Sequence, residues 1–353
     1  MKTIISFLVG SMVVVGAEYW LWRNSLGSYD SHASYWIQDL YTLKGHAAAA
    51  ASGPKILIMS GSNAMFGIDS RLLTSIVGKP VINMATHAGL PFDFMAEQVI
   101  PHVQKGDIVV APLEFEYYRR NPAPSGFEVI NMESWAASYA TEDFARSVSF
   151  FRSSSMLRAL RDYLSPEPPP PHGTLGNILA RASINTQRGI AKWEGYSVES
   201  ANSYGDMLLD EPSILREWSG YMTVEPPRSD FLRKLVRFKR TVEEKGGTFF
   251  LTWPATLRNP KFFIPSVMAE KPMATLKDAL KEFGLQINCD PVAFHFKRPL
   301  FFNTEYHLGL EGAERRSIAL AECLTGEPSG VDPMAVVAER RRQAAEYDRI
   351  TGQ

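Results

Sequence analysis

The chain has 353 residues, of which 45% are hydrophobic and 21% charged, with a formal net charge of −1. That length suits one large domain with an insertion, or two domains, and the proportions are those of a globular protein. Near-neutrality excludes a global basic field for nucleic acid; with no zinc-type cysteine spacing, Walker loop or dinucleotide glycine fingerprint, neither a metal nor a cofactor is expected.

The N-terminus stands apart from the rest. Lys2 precedes an almost uncharged apolar run from Thr3 to Ala17, which Tyr19-Trp20-Leu21-Trp22 extends to Arg23, with Glu18 the one charge inside. About 20 apolar residues closed by an aromatic cluster predict a signal-anchor over residues 1–24 that crosses the bilayer once. The alternative is a signal peptide cut after Val15-Gly16-Ala17. Either way the bulk of the chain is expected in the periplasm or outside the cell. A buried cytosolic helix fits less well, because the run is apolar on all faces. Residues 25–53 read as a juxtamembrane linker with a helix-compatible stretch at 35–43 and an alanine run at 47–51.

Residues 54–325 read as one α/β domain. Short apolar strands are expected at 56–59, 80–84, 108–113, 248–252 and 285–289. Helices are expected at 69–76, 92–103, 230–245, 274–283 and 310–324. This alternation predicts a three-layer sandwich around a central parallel sheet. Residues 119–227 break the rhythm and read as an insertion. It carries helical patterns at 142–163, a proline-rich run at 166–171 and a polar, aromatic stretch at 193–221. The proline run reads as a stiff linker, with a peptide-binding motif the sharper alternative. Residues 326–353 read as a polar C-terminal tail containing a helix-compatible Arg/Glu/Ala stretch. Cys289 and Cys323 read as two buried thiols, with pairing the alternative in an oxidising compartment.

Two segments carry chemistry. Ser60-Gly61-Ser62-Asn63 follows the first strand and precedes a segment able to open a helix. His307 stands between an aromatic segment and the last helix of the domain. A hydroxyl is a weak nucleophile until a base takes its proton, and these are the two parts needed. Alone, Ser62 reads as a turn or N-cap serine and His307 as a structural histidine; jointly they read as nucleophile and base. His87 is a ligand contact or a solvated surface residue. Glu114 and Glu116 either contact substrate or pair with Arg119 and Arg120. Trp253 ends a strand, where α/β sheets place ligands, or simply packs.

These blocks resemble the SGNH-type (GDSL-like) hydrolases. The likeness is greatest to the exported or membrane-anchored members that accompany membrane-bound O-acyltransferases in alginate and cellulose acetylation and teichoic-acid D-alanylation. It covers roughly residues 55–116 and 248–324. Ser60-Gly61-Ser62-Asn63 with Phe66-Gly67-Ile68-Asp69 is similar to the first block, although Ser-Gly-Ser departs from the usual Gly-Asp-Ser. Asn83-Met84-Ala85 through Gly89 resembles the second block, and Pro112-Leu113-Glu114-Phe115-Glu116-Tyr117-Tyr118 the strand-end motif. Glu114 stands where typical members place an asparagine. Asn303 to His307, with Leu308 and Gly312, resembles the last block, whose aspartate three or four residues before the histidine is here Thr304 or Asn303. The resemblance implies catalysis by Ser62 and His307 with Asn303 in the acid's place, and an oxyanion hole from the amides of Asn63 and Gly89. It leaves Glu114, Trp253 and His87 as candidates for contacting substrate. The function implied is acyl transfer or ester hydrolysis on a cell-envelope or secreted polysaccharide or acylated carrier, with a membrane-bound O-acyltransferase as partner and no nucleic acid. The alternative is a catalytically degraded relative that binds glycan or scaffolds that partner.

Overall fold

The computed structural model describes residues 2–168, 173–215, 221 and 225–352. From residue 169 on, the proline-rich run lies outside the described residues, as do residues 216–220 of the aromatic stretch. The helices through the first half of the chain are α1 (Lys2–Ser25), α2 (Tyr35–Ala50), α3 (Ser62–Gly67), α4 (Ser70–Val77), α5 (Phe92–Val99), α6 (Gly126–Ser134) and α7 (Ala137–Ala140). Then follow α8 (Phe144–Ser153), α9 (Met156–Leu164), α10 (Leu175–Arg188), α11 (Ser229–Glu244), α12 (Val267–Glu282), α13 (Leu310–Thr325) and α14 (Pro333–Thr351). The strands are β1 (Ile56–Ile58), β2 (Val81–Asn83), β3 (Ile108–Ala111), β4 (Thr248–Thr252), β5 (Thr256–Leu257), β6 (Ile287–Asn288) and β7 (His295–Phe296).

The chain divides into two compact units. The first comprises Met1–Gln38, Gly89–Pro91 and Asn121–His172. Here α1 is long and apolar enough to cross a membrane or to serve as a signal, and its apolar window is wholly exposed. Only its last turns pack. Trp22 is buried and donates its indole N–H to Glu133 at 2.6 Å. Tyr19 meets Phe151 edge-on at 5.4 Å. Arg158 pairs with Glu133 and lies 3.7 Å from Asp30. Ser125 and Glu128 form a reciprocal capping box that starts α6, satisfying amides the helix itself cannot.

The second unit comprises Asp39–Ala88, Phe92–Arg120 and Gly173–Gln353. Its core is a five-stranded sheet in the order β2-β1-β3-β4-β6, every pair parallel. Counted within the sheet this is 2-1-3-4-5, a doubly wound order. Ile56, Leu57 and Ile58 are all buried, as expected of a parallel strand covered on both faces. The starts of β1 and β3 are fastened by a fully buried ion pair, Lys55 Nζ to Asp107 Oδ2 at 2.8 Å. Asp107 also accepts the amides of Lys55 and Gln104, so its oxygens are well satisfied. β5 and β7 make a separate two-stranded parallel sheet.

Four expectations need correction. Residues 25–53 are not a simple linker. α2 runs through the alanine stretch, and Leu40, Leu43 and Lys44 are fully buried. Lys44 donates to the carbonyls of Ala85 and Gly205 at 2.5 and 2.7 Å, which is how a buried ammonium is tolerated. Residues 119–227 are not one insertion, since they divide between the units after residue 172. The C-terminal stretch is not a tail. α14 buries Val337, Arg340 and Ala344, and Arg340 pairs with Asp69 and lies 3.5 Å from Glu314. Finally, Cys289 and Cys323 are not free thiols but form a disulfide that ties the end of β6 to α13.

Candidate active site

β1 ends at Ile58, the chain turns over residues 59–61, and Ser62 is the first residue of α3. The serine therefore stands at the carboxyl end of a central strand, where open α/β sheets hold their ligands. The neighbouring strand locks the turn. Ser60 Oγ lies 2.7 Å from the Pro112 carbonyl and accepts from Asn63 Nδ2 at 2.7 Å. The Glu114 carboxylate, 1% exposed, accepts the Gly61 amide at 3.1 Å and the Asn63 amide at 3.0 Å. It thus straddles Ser62, taking up donors that a helix start leaves unsatisfied. Arg316, also buried, donates at 2.7 Å to both the carbonyl and the Oδ1 of Asn63. Gly61 has an ordinary φ of −77°; its need is for space. A Cβ there would lie 2.4 Å from Glu114 Oε1 and 2.6 Å from Ala88 Cα.

Ser62 is the exception in this turn. It is half-buried, and neither its hydroxyl nor its amide has a hydrogen-bond partner among the described residues.

His307 comes from a tight loop closed by the Phe302 amide donating to the His307 carbonyl at 2.8 Å. Thr304 Oγ1 accepts the His307 amide at 3.1 Å, so Thr304 shapes the turn rather than the imidazole's electrostatics. The buried ring stacks face to face on Phe66, 4.2 Å between centroids and 13° between planes. Phe66 is four residues beyond Ser62 in α3, on the same helix face. The side chain on which the imidazole stacks is therefore one helical turn along α3 from the serine. Nδ1 lies 2.8 Å from Asn303 Oδ1, and Asn303 Nδ2 donates to Tyr196 at 3.2 Å. With the amide so oriented, Nδ1 carries the proton and Nε2 keeps its lone pair. Burial, and then the neighbouring His87, pushes His307 down to about 3, so the ring is neutral at physiological pH. His87 is half-buried rather than solvated at the surface; burial, and then Arg120, pushes it down to about 4.

The other expected residues fare differently. The Asn63 amide is spent on Glu114, so it is not an available oxyanion donor. Gly89 lies in the turn at residues 88–90 and belongs to the first unit. Glu114 is a buried structural acceptor, not a surface for substrate. Trp253 is likewise 1% exposed and donates its indole N–H to the Cys289 carbonyl at 3.1 Å, so packing explains it. Glu116 accepts from Tyr306 at 2.8 Å. The sequence reading missed Arg316, whose only signal is a cation among Ala313, Ser317 and Leu320 on the buried face of α13. It also missed Tyr196 and Trp193, which surround Phe66 at 6.2 and 6.0 Å from within the stretch taken for an insertion. Among the described residues no cluster of three or more His, Cys, Asp or Glu side chains could hold a metal ion.

No protein-family model matches the chain, and no curated protein matches it.

Proposed function

We propose that the chain is an extracytoplasmic SGNH-type acyl-ester enzyme, an O-acyltransferase or esterase acting on a cell-envelope or secreted polysaccharide through an acyl group carried on Ser62. The observation that carries this reading is the neutral His307 ring, held by Asn303 and stacked on Phe66, a residue one helical turn from Ser62, whose hydroxyl has no hydrogen-bond partner among the described residues. Ser62 Oγ attacks the acyl carbonyl as its proton passes to His307 Nε2. The same nitrogen then protonates the departing alkoxide oxygen. Water or a sugar hydroxyl next attacks the acyl-serine, gives its proton to Nε2, and leaves Ser62 to recover it. The Ser62 amide is the donor left in the turn for the developing oxyanion. The Cys289–Cys323 disulfide suits an oxidising compartment, and α1 suits export. The polysaccharide substrate and the membrane-bound O-acyltransferase partner rest on the resemblance of the motifs.

A second reading has its own observation. Glu114 places a carboxylate against the amides on either side of Ser62, where an oxyanion would be repelled. This favours a degraded relative that binds glycan or scaffolds a membrane-bound acyltransferase. Turnover of a chromogenic acetyl ester by the purified full chain separates the two. The enzyme reading expects turnover that Ser62→Ala abolishes. Turnover untouched by Ser62→Ala, with glycan binding retained, means the site is a binding site.

A further inference from the structure

In the first unit, residues 3–18 of α1 are exposed throughout, sixteen residues or about 24 Å of bare apolar helix. The packed end of α1 meets α9, where Trp20 and Tyr163 lie edge to face at 5.3 Å. Both rings remain substantially exposed, at 54% and 40%. Tryptophan and tyrosine at the end of an apolar span mark the level of the lipid headgroups. α9 therefore sits at that level.

α9 is nine residues long and sharply two-sided. Ala159 and Asp162 are buried, and the half-buried Arg158 pairs with Glu133. Leu157, Leu160, Arg161 and Leu164 fall at i, i+3, i+4 and i+7, a single outward face. The three leucines on it are 80%, 43% and 69% exposed. Arg161 on this face is exposed, its guanidinium pairing with Asp162 at 2.6 Å, and Arg152 near the end of α8 is another exposed cation. Nine helical residues, about 13 Å, cannot span a bilayer, but such a face suits its surface.

We propose that α9 is an interfacial membrane helix, its leucine face seated on the acyl chains of the bilayer that α1 enters and its arginines among the phosphates. The apolar surface of α1 continues through Trp20 and Tyr163 onto this face, which is why the occupant is lipid. The proposal rests on α1 as a membrane span and is independent of the acyl-ester reading.

The test uses the full chain, reconstituted sparsely in vesicles of phosphatidylcholine and phosphatidylglycerol. Because both native cysteines are in a disulfide, a substituted cysteine is the one free thiol for a spin label. Labels are placed at Leu157→Cys and Leu164→Cys, with Val13→Cys on α1 and the exposed Arg240→Cys on α11 as references. Collisions with dissolved oxygen and with a water-soluble nickel chelate are compared. The expected result is several-fold less nickel access at 157 and 164 than at 240, with oxygen access raised as at 13. Nickel access at 157 and 164 equal to that at 240, with 13 shielded, overturns the proposal and leaves α1 in the membrane. Nickel access at 13 as well overturns both. Loss of both oxygen and nickel access at 157 and 164 means that protein, not lipid, covers the face, and also overturns the proposal.

Discussion

An amide at position 303 fixes the imidazole's orientation but cannot stabilise its cation as a carboxylate does. In a serine-protease triad that difference is worth about 10⁴ in turnover. Asn303→Asp should therefore raise ester turnover, by up to about 10⁴-fold. It should also move the acid limb of the pH–rate profile. In the native site His307 is held down to about 3, so it stays an unprotonated base and kcat/KM should be flat through pH 6. A carboxylate beside Nδ1 favours the protonated ring, so the limb should shift upward. A limb already near 6.5 in the native protein contradicts this account of the imidazole. Glu114→Gln tests the turn. It exchanges one of two acceptor oxygens for an NH2 facing a buried N–H, at a loss of about 1–3 kcal/mol in urea unfolding. The position of Ser62 at a strand's end and of His307 before the last helix of the sheet domain could be read in the sequence, because each sits in a recognisable block. Glu114 was not, since nothing in a strand-end motif reveals that its carboxylate turns back onto the amides beside Ser62. Trp253 was misleading for a related reason: a strand's end is a place for ligands, but its indole already has the Cys289 carbonyl.

The elements read most easily were those with continuous apolar composition. All five strands of the main sheet lie where short apolar runs put them; β1, β2 and β3 are almost wholly buried, as a parallel strand covered on both faces should be, while β4 and the edge strand β6 are only partly so. α2 and α14 were missed as packed elements for the opposite reason. α2 does bury Ile37, Leu40, Tyr41 and Ala48 at helical spacing, but a lysine interrupts that stripe and an alanine run closes it, while α14 packs through only Val337, Ala344 and a buried arginine. The Arg340 pairing makes α14 part of the second unit. Arg340→Ala leaves the Asp69 and Glu314 carboxyls buried without their cation, and should cost about 3–5 kcal/mol by chemical denaturation. A change under about 1 kcal/mol, the worth of a surface ion pair, means that α14 is dispensable.

Across the whole chain, the sequence suggested one domain with an insertion, whereas contacts divide it into two interleaved units, with one boundary inside the expected insertion after residue 172. Linear composition cannot show this, because the first unit is assembled from segments far apart in sequence. The disulfide is a property at this scale too. It joins residues 34 apart, a loop worth about 3–4 kcal/mol of stability in the chain-entropy account. Cys289→Ser, or reduction of the native protein, should lower the melting temperature, and a protein equally stable under reductant argues against an oxidising home. The most direct test of the central claim is intact and peptide mass spectrometry after exposing the folded full chain to a fluorophosphonate. The account predicts one adduct, on Ser62, formed at a rate that His307→Ala cuts by orders of magnitude. No adduct at Ser62, or one formed equally fast without His307, would contradict it.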